Sequence, residues 1–207
     1  IGFSTTANVA YMKRILIIHG WGNERPEGHW HRMLATALRK DGHAVAYPQL
    51  PDTELPSLAK WLAVLKVELD MLKEVGNGEL LVFGHSLGCL TWLHICQSEI
   101  LKEQASRVML VAPADPELLG EVPDFQLDLS APKVKTAAHK AAKQTLLLGS
   151  DSDPWIPKGI ELTYAKPLDL PFVLIQGAGH FAVEEGWTPW QGVINWVNDA
   201  NTDLSVR

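Results

Sequence analysis

The chain has 207 residues, of which 46% are hydrophobic and 20% are charged, and its net charge at pH 7 is −6. Length and composition are typical of one globular domain with a sizeable core. Two classes are excluded. A nucleic-acid-binding protein would concentrate its Lys and Arg on one face, and a membrane protein would carry an apolar run of about 20 residues.

The chain opens with a nondescript segment, 1–11, ahead of Met12, Lys-Arg and the apolar run ILII. This pattern is typical of a natural start at Met12, so we interpret 1–11 as an upstream extension or an expression remnant. The alternative is a signal peptide, but ILII is too short for its apolar region. We therefore expect a cytoplasmic protein with a single domain over 12–207.

Apolar runs and amphipathic segments alternate along the rest of the chain. Predicted strands cover Arg14–Ile18, Ala44–Tyr47, Leu80–Phe83, Arg107–Ala112, Thr145–Leu148 and Phe172–Gln176. Predicted helices cover Trp30–Lys40, Leu55–Val75, Leu87–Gln97 and Gln191–Asn198. The strands are continuous apolar runs, which are typical of a sheet buried on both faces. The predicted class is α/β, a three-layer sandwich with a mostly parallel central sheet and helices on both faces.

One long connection stands out between the fourth and fifth predicted strands. Pro113–Lys143 has no strong periodic pattern and is the only segment with room for a lid. Cys89 and Cys96 lie seven residues apart on one predicted helix, roughly 10.5 Å along its axis. A disulfide needs Cα atoms within about 7 Å, so we expect two buried free thiols.

The stretch GHSLG follows the third predicted strand and precedes a predicted helix. A Ser on a tight strand-to-helix turn is crowded at the positions two before and two after it, where Gly84 and Gly88 stand. This spacing predicts a nucleophile elbow with Ser86 as nucleophile. A Gly-rich packing turn with an incidental Ser is the alternative.

A serine nucleophile needs a base, and the base needs a carboxylate to orient it. His180 follows the last predicted strand in a Gly-rich loop and is the predicted base. The loop after the fifth strand offers Asp151 and Asp153. We favour Asp153 as the third member and Asp151 as a turn former. The order Ser86, Asp153, His180 is the chain order of α/β-hydrolases.

Two backbone N–H groups are predicted to bind the oxyanion of the reaction. One belongs to Leu87 at the helix start, and the other to Trp21 in the loop HGWG after the first strand. A plain Gly-rich strand exit is the alternative for HGWG. Trp155 and Phe181 flank the predicted catalytic residues, so they either line an apolar acyl pocket or pack the loops.

The remaining histidines are assigned other roles. His85 adjoins the Ser and is expected to be structural. His29 and His31 flank Trp30 at a helix start, where we expect surface or capping roles, because no matching ligand spacing accompanies them. We expect no metal and no cofactor.

Several motifs together resemble the α/β-hydrolase superfamily. More narrowly, they resemble the small serine-hydrolase family that includes retinoblastoma-binding protein nine and its bacterial relatives. The motifs are ILIIHGWGN, Gly28-His29-Trp30, Tyr47–Pro51, Trp61, GHSLG, Val111–Pro113, SDSDPWIP and GAGHF. The similarity runs from Lys13 to Val197, and the AHKAAK run departs from it. The resemblance implies Ser86, Asp153 and His180 as a triad in a compact α/β-hydrolase with little or no cap.

The expected function is hydrolysis of carboxylic esters, or amides, of small substrates through an acyl-enzyme. The alternative is a protein-binding module on a hydrolase scaffold with weak or no catalysis, because a fold does not fix a function. A lyase or perhydrolase that keeps the elbow also stays open. No motif indicates a particular protein partner, and no nucleic acid or membrane partner is expected.

Overall fold

A computed structural model describes residues 12–207, so the predicted extension 1–11 lies outside the described residues. Six strands form one sheet in the order β2-β1-β3-β4-β5-β6, and every pairing is parallel. The strands are β1 (Arg14–Ile18), β2 (Ala44–Ala46), β3 (Leu80–His85), β4 (Ala105–Val111), β5 (Ala142–Ser150) and β6 (Phe172–Ile175). The predicted α/β class and parallel sheet are confirmed.

Helices cover both faces of the sheet. They are α1 (Trp30–Lys40), α2 (Leu58–Val75), α3 (Leu87–Cys96), α4 (Pro132–Ala141), α5 (Lys166–Leu168) and α6 (Gln191–Trp196), with a π-helical turn at Glu161–Ala165. One core lies between the sheet and α2 to α5, and the other between the sheet and α1 with α6. Side chains of β1 alternate between them, since Leu16 faces the first core and Ile17 the second. This alternation explains why β1 is a continuous apolar run.

The strand order places two loops side by side. The chain leaves β1 toward β2 on one side and returns as β3 on the other side of β1. In open parallel sheets, such a reversal of strand order leaves a crevice at the carboxyl ends of the strands. Ile18 is in register with Gly84, so the HGWG loop emerges next to GHSLG.

Element ends differ from the predictions in physically simple ways. Helix α2 begins at Leu58 instead of Leu55, and Ser57 before it is extended, with φ −112° and ψ 124°. Pro56 disfavours helical backbone at Leu55, whose side chain is 69% exposed. Strand β5 is longer than predicted, because its first residues pair with the start of β4 at the sheet end, where the apolar run has already stopped.

The segment Pro113–Lys143 is more ordered than its pattern predicts. It contains 3-10 turns at Pro116–Leu118 and Pro123–Phe125, followed by α4. The AHKAAK run forms the end of α4, where Ala138 and Ala141 are buried, and the first two residues of β5. The part outside α4 and β5 is therefore only 113–131, and it packs on the core through Leu119, Val122 and Phe125.

Two further expectations can be compared with the structure. Cys89 is buried and Cys96 half-buried, and both thiols are free. No helix between residues 12 and 207 has the length and apolar character needed to cross a membrane.

Candidate active site

Ser86 lies on a sharp turn between β3 and α3. Its φ of 53° and ψ of −122° fall in a region that non-glycine residues rarely adopt. Such backbone costs on the order of 1–3 kcal/mol and persists only where neighbours hold it. The Ser86 N–H donates to the Val111 carbonyl (3.0 Å), and the Cys89 N–H donates to the Ser86 carbonyl (3.0 Å). The turn is therefore fixed from both sides.

The two glycines of GHSLG allow α3 to pack tightly against the sheet. A β-carbon at Gly88 would lie 2.3 Å from the Ile18 carbonyl oxygen. A β-carbon at Gly84 would lie 3.2 Å from the Cys89 Cα. The spacing of Gly-x-Ser-x-Gly thus has the steric origin expected for an elbow.

The structure brings the three predicted catalytic side chains together. The His180 Nε2 lies 2.9 Å from the Ser86 Oγ. The His180 Nδ1 lies 2.9 Å and 3.0 Å from the two carboxylate oxygens of Asp153. With the Nδ1–H donated to Asp153, the Nε2 lone pair is free to accept the Ser86 hydroxyl proton. The Asp153 side chain is fully buried and that of His180 is 14% exposed, so of these two only the imidazole is open to solvent.

The two candidate aspartates have different tasks in the structure. Asp153 faces the imidazole of His180 and also accepts the Trp155 N–H at 2.9 Å. Asp151 is exposed and accepts the Gly177 N–H at 2.7 Å. Only Asp153 contacts the imidazole.

Further hydrogen bonds tie the loop of His180 to the loop of Asp153. The Ser150 Oγ accepts the Ala178 N–H at 2.9 Å, and the Ser152 Oγ accepts the Gly179 N–H at 3.0 Å. The Glu185 carboxylate accepts the N–H of His180 itself at 2.9 Å. The position of the imidazole is therefore set by its backbone as well as by Asp153.

The loop after β1 lies directly against the nucleophile. A β-carbon at Gly20 would lie 2.8 Å from the Ser86 Cβ and 3.4 Å from its Oγ. The buried His19 holds this loop: its Nδ1–H donates to the Gly20 carbonyl and its Nε2 accepts the Leu50 N–H, both at 2.9 Å. Burial lowers the pKa of His19 to about 4, so it is neutral in both contacts at pH 7.

The two predicted oxyanion donors stand at this junction. Leu87 is the first residue of α3, and Trp21 follows Gly20. Within 12–207, neither backbone N–H donates to another backbone carbonyl. The Trp21 indole donates to the Glu54 carbonyl at 2.9 Å, which links this loop to the loop after β2.

The two aromatic residues predicted beside the site differ in exposure. Trp155 is 52% exposed, and its ring centroid lies 6.2 Å from that of His180. Phe181 is fully buried and stacks on Trp190 with centroids 5.1 Å apart. The structure thus places Trp155 beside the site and gives Phe181 the packing role that the sequence left open.

Three other histidines lie behind the triad. The His85 Nε2–H donates to the His180 carbonyl at 2.8 Å, in agreement with a structural role. His29 caps α1, because its Nδ1 accepts the His31 N–H at 3.2 Å. A surface role does not hold for either residue of this pair, since both are buried beneath Trp30 and His85.

The arrangement of potential metal ligands was compared with that of a metal site. No group of three or more His, Cys, Asp or Glu side chains within the described part of the chain is arranged to hold a metal ion. His31 is fully buried, and burial lowers its pKa well below the ordinary value.

Sequence reasoning missed Ser150, Ser152 and Glu185, which hold the loop of His180. The role of the two serines could have been predicted, because the alternation Ser-Asp-Ser-Asp puts hydroxyls next to the candidate acid. No sequence pattern indicates the role of Glu185, since its contact with His180 depends on the local turn of the chain after Phe181.

Comparisons with known proteins identify the family and the fold. A family model described as "Serine hydrolase" matches residues 15–199. The YdeN protein of Bacillus subtilis (strain 168) is 27% identical over 181 residues, covering 85% of this chain and 90% of that protein. Its crystal structure superposes with a TM-score of 0.71 at 24% identity, covering 89% of this chain and 96% of that one. Est1E from Butyrivibrio proteoclasticus gives a TM-score of 0.66 at 19% identity, covering 94% of this chain and 89% of its own.

Proposed function

This chain belongs to the serine hydrolase family, and we propose that it hydrolyses carboxylic esters, and by the same chemistry amides, of small substrates. The carrying observation is the continuous chain of contacts from the Ser86 Oγ through the imidazole of His180 to the buried carboxylate of Asp153. This arrangement activates a hydroxyl that is a weak nucleophile on its own.

The first half of the reaction forms an acyl-enzyme. The Ser86 Oγ attacks the substrate carbonyl while the His180 Nε2 takes its proton. Asp153 stabilises the imidazolium that results. The N–H groups of Trp21 and Leu87 donate to the oxyanion, and each such donor contributes about 3–4 kcal/mol to lowering the barrier.

Departure of the leaving group completes the acyl-enzyme, and water then returns the enzyme to its starting state. His180 gives its proton to the leaving alcohol or amine, and a water molecule then takes the leaving group's place. His180 removes a proton from that water as it attacks the acyl carbon, and then gives this proton to the Ser86 Oγ as the acid is released. The proposed chemistry uses side chains and backbone groups of this chain and no cofactor.

Trp155 is the proposed apolar contact for the substrate. Its ring is half exposed beside His180, and its backbone N–H is held by Asp153. An exposed aromatic face is suited to the apolar part of a small acyl or alcohol group. Phe181 is left out of this role because it has no exposed surface.

The test is covalent labelling by a fluorophosphonate, which transfers its phosphonyl group to an activated serine and releases fluoride. We expect the folded protein to label and Ser86→Ala to remain unlabelled. Ser130→Ala, at an exposed serine outside the site, is the matched control and should label like the parent protein. Short p-nitrophenyl esters should likewise be hydrolysed by the parent protein and by Ser130→Ala, and not by Ser86→Ala.

A protein-binding module without catalysis is the competing function. A folded parent protein that neither labels nor hydrolyses any ester or amide would overturn the proposed hydrolysis and favour that alternative. Labelling of Ser86→Ala at the parent rate would show that another residue reacts. A cytoplasmic location stays a prediction.

A further inference from the structure

Acidic residues are concentrated at one edge of the molecule. Because all strands are parallel, the segments that follow them leave from the same carboxyl edge of the sheet, where Ser86 stands. Besides the elbow itself, these segments are 19–29, 47–57, 112–131, 151–160 and 176–190. They hold thirteen of the chain's 24 Asp and Glu, but only two of its 18 Lys and Arg.

The rest of the molecule has the opposite balance. Outside these segments, sixteen basic residues face eleven acidic ones, although the whole chain has a net charge of −6. The protein therefore has a strongly negative catalytic edge and a slightly positive remainder. A charge separation of this kind produces a field that acts on charged molecules before they make contact.

Most of these carboxylates face solvent, and the edge holds only two basic residues, Arg25 and Lys158. Ten of the thirteen acidic side chains are exposed. Lys158 forms an ion pair with Glu117. Arg25 donates to the Tyr47 carbonyl at 2.9 Å and to Gln49 at 3.2 Å. These two positive charges offset only two of the thirteen negative ones, so the edge keeps a large excess of negative charge.

A large groove lies in this acidic region, beside the loop that follows β1. It has a volume of about 880 Å³, and its charged lining consists of Glu24, Asp52, Glu54 and Lys60, the last of which is paired with Asp52. The Glu54 carbonyl accepts the Trp21 indole N–H, and a β-carbon at Gly22 would lie 3.7 Å from the Glu54 carboxylate. The groove therefore adjoins the same loop that lies against Ser86.

We propose that the site selects substrates that carry a positive charge, such as a protonated amine or a quaternary ammonium group, in the part that occupies this groove. Carboxylates and phosphates are disfavoured by the same field. The inference rests on the proposed hydrolysis, with water added across the ester bond as before, and it specifies the substrate class.

The experiment uses three acetate esters of matched size, whose alcohol ends in a trimethylammonium, a tert-butyl or a carboxylate group. At low ionic strength, kcat/KM should rank cation above neutral above anion, with about tenfold or more between the extremes. Raising the salt from about 0.01 M to about 1 M shortens the Debye length from about 30 Å to about 3 Å and should bring the three values together.

Charge variants test where the selectivity comes from. Glu24→Gln with Glu54→Gln should lower the ratio of cation to anion rates severalfold, with the neutral ester as internal reference. Glu74→Gln with Glu99→Gln removes the same charge at the opposite edge, where α2 and α3 end, and should leave the ratio unchanged.

The outcomes separate this inference from the proposed function. A protein that cleaves the neutral ester but treats all three alike, or prefers the anion, overturns the charge selectivity and leaves the hydrolysis intact. Equal effects of the two double variants also overturn it, because the groove would then have no special part. A protein that cleaves none of the three esters and does not label overturns both.

Discussion

At the residue scale, His180 is held by two carboxylates that act on different parts of it. Asp153 contacts the imidazole, and Glu185 accepts the backbone N–H groups of His180 and Ala182. The neighbours of His180 adopt left-handed backbone, with φ 63° at Gly179 and 57° at Phe181. Phe181 pays a conformational cost there that packing and hydrogen bonds must offset.

Glu185→Ala should therefore slow catalysis, although the Glu185 side chain has no proposed contact with the substrate. We expect kcat to fall about 10- to 100-fold, as a displaced catalytic group does, with KM little changed. Steady-state kinetics on a short p-nitrophenyl ester measure this. Glu184→Ala, at the exposed neighbour, is the control, and equal losses in the two variants would contradict a specific role for Glu185.

Substitution of the two aspartates of the SDSD motif should have clearly different effects on kcat. Asp153→Asn leaves the imidazole without a charged partner and exchanges an acceptor for a donor, so kcat should fall on the order of 10³–10⁴-fold. Asp151→Asn keeps an oxygen that can accept the Gly177 N–H, and should stay near the parent rate. Comparable losses in both would mean that Asp153 only supports the loop.

At the element scale, the junction of β1 and α3 leaves no room for a side chain. A β-carbon at Gly88 would approach backbone oxygens of Ile18 and His19 to 2.3 Å and 2.8 Å. Gly88→Ala should lower the free energy of unfolding by about 1–3 kcal/mol, because the helix must shift from the sheet. Urea unfolding measures this, with Gly120→Ala as the control, since a β-carbon there meets nothing within 4 Å.

The elements that the sequence predicted well are those whose residues pack on large apolar neighbours. β1 and β3 are continuous apolar runs and were found with their type and order. Helix α4 was missed because its buried residues are one valine and two small alanines, Val134, Ala138 and Ala141, among lysines. A face of this kind gives almost no periodic signal, although it fits closely against α3.

For the site, the sequence predicted which residues meet but not what holds them. Ser86, Asp153 and His180 each follow a parallel strand, so their meeting follows from topology. The contact of Glu185 with His180 depends on a local turn, and the bond from His85 to the His180 carbonyl joins residues far apart in the chain. Neither has a pattern in the sequence.

At the scale of the whole molecule, the fold keeps four histidines buried and neutral beside the catalytic edge. Burial is the main cause in each case, and it lowers the pKa of His19 and of His29 to about 4. The pKa values of His31 and His85 are also well below the ordinary value, because they are fully enclosed and lie close to other histidines. In the unfolded chain, each would titrate near its ordinary pKa of about 6.5.

These buried histidines should make the protein lose stability in mild acid. Between pH 6.5 and about 4 the unfolded chain binds protons that folded His19 and His29 do not, so unfolding becomes easier as the pH falls. The slope should be on the order of 1 kcal/mol per pH unit for each histidine, measured by urea unfolding at several pH values across this window. His31→Leu removes one of the four buried histidines, a ring whose nitrogens have no partner among the described residues, and should lower the slope by that histidine's share while keeping the fold at pH 7.5. His139→Gln, at an exposed histidine, should leave the slope as it is. If His31→Leu keeps the full slope, His31 does not contribute to the acid response.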